Sequence, residues 1–134
     1  MKLITRDTDY AVRALCYIAN EKNRVIAVSE LVRELKIPRP FLRKILQSLH
    51  NAGVLKSYKG AGGGFILCCH PSKLALGNII KIFQGALRLN ECLFRQRVCP
   101  KRSYCSLRSR IVNIEKRVIK ELDSITIAGL LRSK

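Results

Sequence analysis

Three cysteines in the second half of the chain have the spacing and neighbours of a metal-binding loop. Cys92, Cys99 and Cys105 are separated by six and then five residues, with four basic residues among them. Nearby cations favour the thiolate, the form of cysteine that binds metals, and Pro100 favours a loop over a packed helix or strand. The spacing is wider than in structural zinc sites and less regular than in ferredoxins. A loop of this width favours an iron-sulfur cluster over a single tetrahedral ion.

Two other uses of the same thiols stay open. A zinc ion held by three thiolates and one further ligand fits the composition. Oxidation to a disulfide would instead make the loop a cluster-free thiol switch. We do not expect an enzyme, because the two histidines, His50 and His70, form no Cys-His or Ser-His-Asp set.

The chain is strongly basic along its whole length. Its formal charge is +17 over 134 residues, with 13 basic and 5 acidic residues in positions 1–75 and 13 and 4 in positions 76–134. Such an even distribution favours a nucleic-acid partner over a merely solvated surface. Sequence-independent coating of RNA or DNA would use the charge but leave the cysteines without a role. With no membrane-length apolar run and no export signal, a cytoplasmic protein is expected.

Residues 8–51 predict three helices in the order of a helix-turn-helix. The apolar spacing favours a first helix over residues 8–20, capped by Asp7 or Thr8, and a second behind the cap Ser29. A third is expected over residues 39–51. Its basic, amide-bearing face makes it the candidate recognition helix for a DNA major groove. The candidate DNA-binding residues on it are Arg39, Pro40, Phe41, Arg43, Lys44, Gln47 and His50.

A glycine-rich hairpin is predicted after these helices. Residues 54–58 and 65–69 have the composition of strands, and residues 59–64 that of a turn. After a helix-turn-helix such a hairpin is a wing, whose glycines let the backbone approach a phosphate or a minor groove. Its candidate DNA-binding residues are Lys59, Gly60, Gly62 and Gly63. The adjacent Cys68 and Cys69 should point to opposite faces, one toward the core and one toward solvent.

The second half predicts a connecting helix and a dimer. Residues 76–84 favour a short helix that ends at Gly85, and apolar residues from Leu107 to Ile125 recur every three or four positions. This long stripe has no second long helix to cover it, so we expect a two-fold homodimer, with a short helix after it. The expected protein is mainly α with a small β-hairpin wing. Its parts are a winged helix-turn-helix domain in 1–75, a connecting helix and cysteine loop in 76–105, and a dimerisation region in 106–134.

The order of these features resembles the Rrf-two family of winged-helix iron-sulfur transcriptional regulators. The resemblance covers nearly the whole chain. It rests on Thr-Asp-Tyr-Ala at 8–11, Gly-Val-Leu at 53–55, the glycine wing, Leu-Gly-Asn-Ile-Ile at 76–80 and the three spaced cysteines. It implies a homodimeric transcription factor that binds a palindromic double-stranded DNA operator. The same resemblance implies that Cys92, Cys99 and Cys105 hold the cluster and that it senses redox state, nitric oxide or iron.

The resemblance also bears on the fourth cluster ligand. Members with a histidine soon after the third cysteine use it to hold a 2Fe-2S cluster, and residues 106–108 contain none. Members similar to the nitric-oxide sensor complete a 4Fe-4S cluster with an N-terminal aspartate of the other subunit, and Asp9 matches that position. We therefore expect a 4Fe-4S cluster in preference to 2Fe-2S, with Asp9 as the fourth ligand. Asp7, and then water or a small thiol, are the alternatives.

Overall fold

The computed structural model of the protein describes residues 2–88 and 106–131. Within them lie six α-helices, a two-stranded antiparallel sheet and a 3-10 helix at Pro71–Lys73. The predicted mainly α fold with a β-hairpin is therefore confirmed, whereas the cysteines of the predicted cluster loop lie outside the described residues. The elements are α1 (Arg6–Asn20), α2 (Val28–Leu35), α3 (Arg39–Asn51), β1 (Leu55–Tyr58), β2 (Gly64–Leu67), α4 (Leu76–Gln84), α5 (Ser106–Ser124) and α6 (Ile127–Leu131).

The first helix begins earlier than the sequence predicts. Thr5, and not Asp7 or Thr8, caps α1, because its hydroxyl accepts a hydrogen bond from the Thr8 N–H at 3.4 Å. Thr8 is fully buried, while Asp7 and Asp9 lie in the first turn of the helix. Carboxylates in a first turn interact favourably with the helix dipole. The acidic signal was therefore correct for a helix start, but the capping residue was wrong.

An extended segment before α2 pairs with the hairpin. Ile26 and Phe65 exchange two backbone hydrogen bonds, each 2.9 Å long. A Cβ atom on Gly64 would overlap the Ile26 backbone, so this close approach requires glycine. Residue 26 is held extended, and α2 begins at Val28. Its N-cap is Ala27, which makes no side-chain hydrogen bond to the helix. The prediction of Ser29 as the cap was wrong for this reason.

One hydrophobic core joins the helix-turn-helix, the hairpin and the C-terminal helix. The predicted short helix at the C-terminal end packs back as α6, and the Ile127 N–H donates to the Leu74 carbonyl at 2.9 Å. The burial of apolar side chains in this core is the main contribution to the stability of a domain of this size. The fully buried side chains from α1, α2, α3, β1 and α6 include Leu15, Leu31, Leu46, Leu55 and Ile127.

The long helix α5 packs its C-terminal part against α4. Leu76 and Ile80 of α4 form a small second cluster with Leu122 of α5. Gly77 is buried at this crossing, where a Cβ atom would overlap the Asp123 carboxylate. The missing side chain therefore leaves room for this carboxylate. No helix in the described part of the chain combines the length and apolar character that crossing a bilayer requires.

Candidate nucleic-acid interface

The two sides of α3 differ sharply in exposure. Six of the seven predicted DNA-binding residues on this helix are exposed, and His50 is half-buried. Arg39, Arg43 and Lys44 make the exposed side strongly positive, as a surface for phosphates and base edges requires. The opposite side enters the core through Leu42, Ile45, Leu46 and Leu49.

The turn before α3 positions the start of this exposed side. Lys36 is the C-cap of α2 and has the left-handed conformation, with φ of 56°, which ends the helix. Ile37 is 3% exposed and anchors the turn in the core. Pro38 precedes the helix and Pro40 lies in its first turn, where a missing N–H removes no helical hydrogen bond. Phe41 is thereby held at the exposed N-terminal end of α3.

Two polar residues near the end of α3 already have partners in the protein. The Gln47 Nε2 donates to the Asn51 Oδ1 at 3.0 Å. The His50 Nδ1 lies 3.1 Å from the Leu55 carbonyl oxygen and so connects α3 to β1. His50 therefore helps to hold the wing against the recognition helix, and its contact with DNA stays a prediction.

The tip of the hairpin requires glycine at the predicted positions. Gly60 and Gly62 have φ angles of +88° and +75°, which L-residues rarely adopt. A Cβ atom on Gly63 would overlap the carbonyl oxygens of Tyr58 and Gly60. Lys59 is exposed beside these glycines. The wing therefore presents bare backbone and one cation, which suits close approach to a phosphate.

Three exposed side chains near this surface were missing from the predicted set. The Lys56 ammonium lies 5.3 Å from the Tyr58 ring centroid on β1, and the period-two alternation of the strand could have revealed this pair. The Arg6 guanidinium lies 4.6 Å from the Phe41 ring centroid. Both distances are typical of cation-π contacts. No local signal predicts the Arg6 contact, because it joins the start of α1 to the start of α3.

A polar network fixes α2 on α1 behind the interface. The Glu30 carboxylate accepts a hydrogen bond of 2.6 Å from the Tyr17 hydroxyl and bonds of 2.9 and 2.7 Å from both terminal nitrogens of Arg24. These donors lower the pKa of Glu30 from its usual 4.5 to about 2, and the carboxylate in turn raises the pKa of Tyr17. Charge-assisted, bidentate bonds of this kind fix geometry more firmly than neutral ones.

The two candidate aspartates lie together at the start of α1. The Asp9 Oδ2 accepts a hydrogen bond of 2.9 Å from the Arg13 Nε. The Asp7 Oδ1 lies 4.0 Å from the Arg6 Nε. Each of the two side chains is 47% exposed. Both carboxylates are therefore accessible from outside the chain, as a ligand supplied to a second subunit would have to be.

The described cysteines are not arranged as a metal site. Among residues 2–88 and 106–131, no three His, Cys, Asp or Glu side chains stand close enough to share a metal ion. Cys68 is exposed and Cys69 packs against the core, as predicted, but β2 ends at Leu67, so the two cysteines lie just after the strand and not within it. Burial raises the pKa of the Cys69 thiol. Cys92, Cys99 and Cys105, the predicted cluster ligands, lie outside the described residues.

The sequence profile of a known family matches residues 4–133. That family is Rrf2, described as an iron-dependent transcriptional regulator. The chain belongs to the Rrf2 (Rrf-two) family. Membership extends over nearly the whole sequence, so the helix-turn-helix, the wing and the long helix are all parts of one Rrf2 architecture. The family description and the name of the Aquifex aeolicus relative are both those of transcriptional regulators.

One relative and two solved structures illustrate the match. A protein of Aquifex aeolicus (strain VF5), named as an HTH-type transcriptional regulator, is 40% identical over 92 residues, which are 69% of this chain and 64% of that protein. The solved structure of T. potens IscR has 25% identity and a TM-score of 0.76, with 99% of this chain and 88% of that one covered. The solved structure of CymR, the global cysteine regulator of B. subtilis, has 24% identity and a TM-score of 0.82, with 100% of this chain and 99% of that one covered.

These matches support the winged-helix Rrf2 fold for residues 2–88 and 106–131. The described α3 therefore occupies the position of the second helix of the helix-turn-helix in this fold, and β1 and β2 form its wing. The CymR likeness, at 24% identity, bears on the fold alone.

Proposed function

We propose that this protein is a homodimeric transcriptional regulator that binds a palindromic DNA operator and senses redox state, nitric oxide or iron through an iron-sulfur cluster. The observation that carries the DNA-binding part is the exposed basic side of α3 beside a wing whose tip is bare glycine backbone. Arg39, Arg43 and Lys44 supply phosphate and base contacts, and Lys59 approaches the adjacent backbone.

A second copy of the chain is the proposed partner of α5. Leu107, Val112 and Ile114 are 70%, 37% and 47% exposed on this helix. Apolar side chains recurring along one helix favour a helix-on-helix contact, and a two-fold axis is the commonest arrangement of two identical chains. Two recognition helices related by that axis would read two half-sites, which explains why the proposed operator is palindromic.

The donor set of the chain fits a cluster. Cys92, Cys99 and Cys105 would supply three thiolates, and the exposed carboxylate of Asp9 from the other subunit would supply the fourth position. A bound 4Fe-4S cluster would supply an iron whose carboxylate ligand exchanges more readily than thiolate, so that nitric oxide, oxygen or iron loss can act there. Arg13 holds the Asp9 carboxylate in the free chain through a surface ion pair, which is weak enough to give way.

Coupling to DNA requires a modest free energy. Changing a regulator from mostly bound to mostly free takes roughly 3 to 5 kcal/mol of difference between its two states. Residues 85–105, which include the three cysteines, connect α4 to the proposed dimer helix. Gain or loss of ligands in that segment would therefore change how the two DNA-binding halves are spaced.

The first test is anaerobic purification followed by a visible spectrum and native mass spectrometry of the dimer. The proposal expects a brown protein with the mass of one 4Fe-4S cluster per subunit. Stoichiometric zinc without colour would indicate a zinc site. A colourless dimer that takes up no iron and sulfide on reconstitution would overturn the cluster and leave a thiol switch as the use of the three cysteines.

Single substitutions then assign the ligands. Serine at Cys92, Cys99 or Cys105 should abolish the cluster and its effect on affinity for an operator selected from random duplexes. The Asp9→Ala variant should shorten the lifetime of the cluster in air, and Asp7→Ala is the matched control, since both side chains are equally exposed in the same turn. If Asp7→Ala shortens the lifetime and Asp9→Ala does not, Asp7 is the fourth ligand.

A further inference from the structure

The last residue of α4, Gln84, makes an unusual set of contacts with the first turn of α1 and the residues before it. The Gln84 Oε1 accepts hydrogen bonds from the Thr5 backbone N–H at 3.0 Å and from the Thr8 hydroxyl at 2.6 Å. The Gln84 Nε2 donates to the Leu3 carbonyl oxygen at 3.2 Å. One carboxamide therefore fastens three residues of the N-terminal segment to the end of a helix that comes more than seventy residues later.

The donor groups in this network determine which way the Gln84 carboxamide faces. A backbone N–H can only donate, so the oxygen of Gln84 must face Thr5 and the amide nitrogen must face Leu3. The Thr8 hydroxyl uses its one hydrogen for Gln84, so the Thr5 hydroxyl, 3.1 Å away, donates to Thr8. Thr8 is fully buried, and a buried hydroxyl that lost its acceptor would be costly. The start of α1 is therefore held in one place by Gln84.

That place also determines where Arg6 stands. Arg6 is the first residue of α1 and follows the Thr5 cap directly. Its guanidinium lies 4.6 Å from the ring centroid of Phe41, an exposed residue in the first turn of α3. An exposed cation-π contact is weak by itself and depends on how the cation is presented. A shift at the start of α1 would change that presentation.

We propose that Gln84 is a positioning residue that sets the orientation of Phe41 at the DNA-binding surface through Thr5, Thr8 and Arg6. The chain of contacts is continuous from the C-terminal end of α4 to the N-terminal end of the recognition helix. The expected effect on DNA binding rests on the proposed function, whereas the positioning of Phe41 by Gln84 requires neither DNA nor metal. Gln84 stands eight residues before Cys92 in the sequence, so the contact chain begins next to the proposed sensing segment.

The positioning is tested first in the free, cluster-free protein. The Phe41 ring signals are followed by carbon-13 NMR, which is practical because the chain has four phenylalanines. Gln84→Ala should shift these signals and broaden them, because the Arg6 contact is no longer held. Asn78→Ala, an exposed amide on the same helix, is the matched control and should leave them in place. Equal spectra of Phe41 in the two variants would overturn the proposal.

A second variant keeps the test usable if Gln84→Ala does not fold. Gln84→Glu retains the oxygen that accepts from Thr5 and Thr8 but cannot donate to the Leu3 carbonyl. It should give a smaller shift of the Phe41 signals than alanine, in the same direction. A Gln84→Glu spectrum that matches the wild type while the Leu3 contact is lost would show that Leu3 has no part in the positioning. An unchanged Phe41 in both variants would overturn the proposal as a whole.

The consequence for DNA is measured by a double-mutant cycle with a selected operator. Gln84→Ala should weaken binding by about threefold or more in the wild-type background and by clearly less when Phe41→Ala is present. The free energy of unfolding of the same variants, measured in parallel, distinguishes this coupling from a general loss of stability. Additive effects would contradict positioning through Phe41. A wild type that binds no duplex would instead defeat the proposed function, and the NMR comparison would then decide the positioning alone.

Discussion

The helix-turn-helix core and the long helix α5 have the same apolar periodicity and opposite environments. Leu15, Leu31 and Leu46 are fully buried inside the first region, whereas Leu107 and Ile114 of α5 are 70% and 47% exposed. In the core, neighbouring helices of the same chain cover the apolar stripe. On the N-terminal part of α5, no element of the described chain does so. The same sequence pattern therefore specifies an interior in one region and an association surface in the other.

Both environments, covered and exposed, also occur within α5. Leu122, near its C-terminal end, is 7% exposed because Leu76 and Ile80 of α4 cover it. Toward the other end of α5, Leu107 and Ile114 are exposed. A helix that is fixed at one end and uncovered at the other is suited to carry a second subunit at a defined angle to the DNA-binding domain.

The largest expected effect lies in the core. Leu46→Ala should lower the free energy of unfolding by about 2 to 5 kcal/mol, because it removes a fully buried side chain and leaves a cavity. Urea titration at several protein concentrations measures this loss, which should not depend on concentration. Leu107→Ala is the matched control at an exposed site. A concentration-independent loss of similar size at Leu107 would break the contrast between the regions.

The uncovered part of α5 should respond through association. Ile114→Glu should raise the dimer dissociation constant by at least about tenfold, because a charge would be desolvated in the proposed helix contact. Sedimentation velocity over a concentration series measures the constant. Asn113→Glu introduces the same charge at the neighbouring exposed position and should have a much smaller effect. Equal effects at 113 and 114 would mean that the apolar stripe is not the contact.

The packing of α5 against α4, which connects the two regions, depends on Gly77. Gly77→Ala should destabilise the protein by about 1 kcal/mol, because the new methyl group requires the exposed Asp123 carboxylate to move aside. In an Asp123→Ala background the same change should become stabilising by roughly 0.5 to 1 kcal/mol, since alanine favours a helix over glycine. Thermal unfolding of the four proteins in this cycle gives both values. The same sign in both backgrounds would rule out the overlap as the cause.

The smallest expected effect concerns the polar link between α1 and α2. Glu30→Gln should cost about 1 kcal/mol near neutral pH, because neutral amides replace charge-assisted bonds to Arg24 and Tyr17. The pKa of Glu30 is lowered to about 2 in the folded protein from its usual 4.5. Its stabilisation is therefore complete above about pH 4.5 and is lost as the pH falls toward 2.

The pH dependence of this variant separates the link from a general surface effect. The difference in unfolding free energy between wild type and Glu30→Gln should shrink as the pH is lowered from 5 to about 2. Glu34→Gln is the control, because Glu34 pairs only with its exposed neighbour Arg33 in the described contacts and should matter little at any pH. A difference that stays constant over this range would contradict the ionic role of Glu30.

Local patterns in the sequence predicted most elements of the fold. The bounds of α3 and α4, the hairpin and the terminal helix follow from apolar periodicity, glycine and proline, which act within a few residues of one another. The starts of α1 and α2 were predicted wrongly because they depend on partners distant in sequence. Gln84 holds the segment that contains the Thr5 cap, and Phe65 holds the chain extended before α2.

The candidate interface divides in the same way. The exposed side of α3 and the glycine tip could be predicted, since amphipathic spacing and unusual φ angles are local properties. The pairing of Arg6 with Phe41 could not, because it requires two helix starts to meet in space. The cluster ligands and the operator stay predictions.

The sequence by itself therefore determined the Rrf2 architecture, the basic recognition helix and the apolar stripe of α5. Only the tertiary structure decided which half of that stripe is covered, where α1 begins and which cation faces Phe41. The physical reason is the range of the forces involved. Helical periodicity is set by bonds between residues three or four apart, whereas burial and hydrogen bonding between distant segments exist only after the chain has packed.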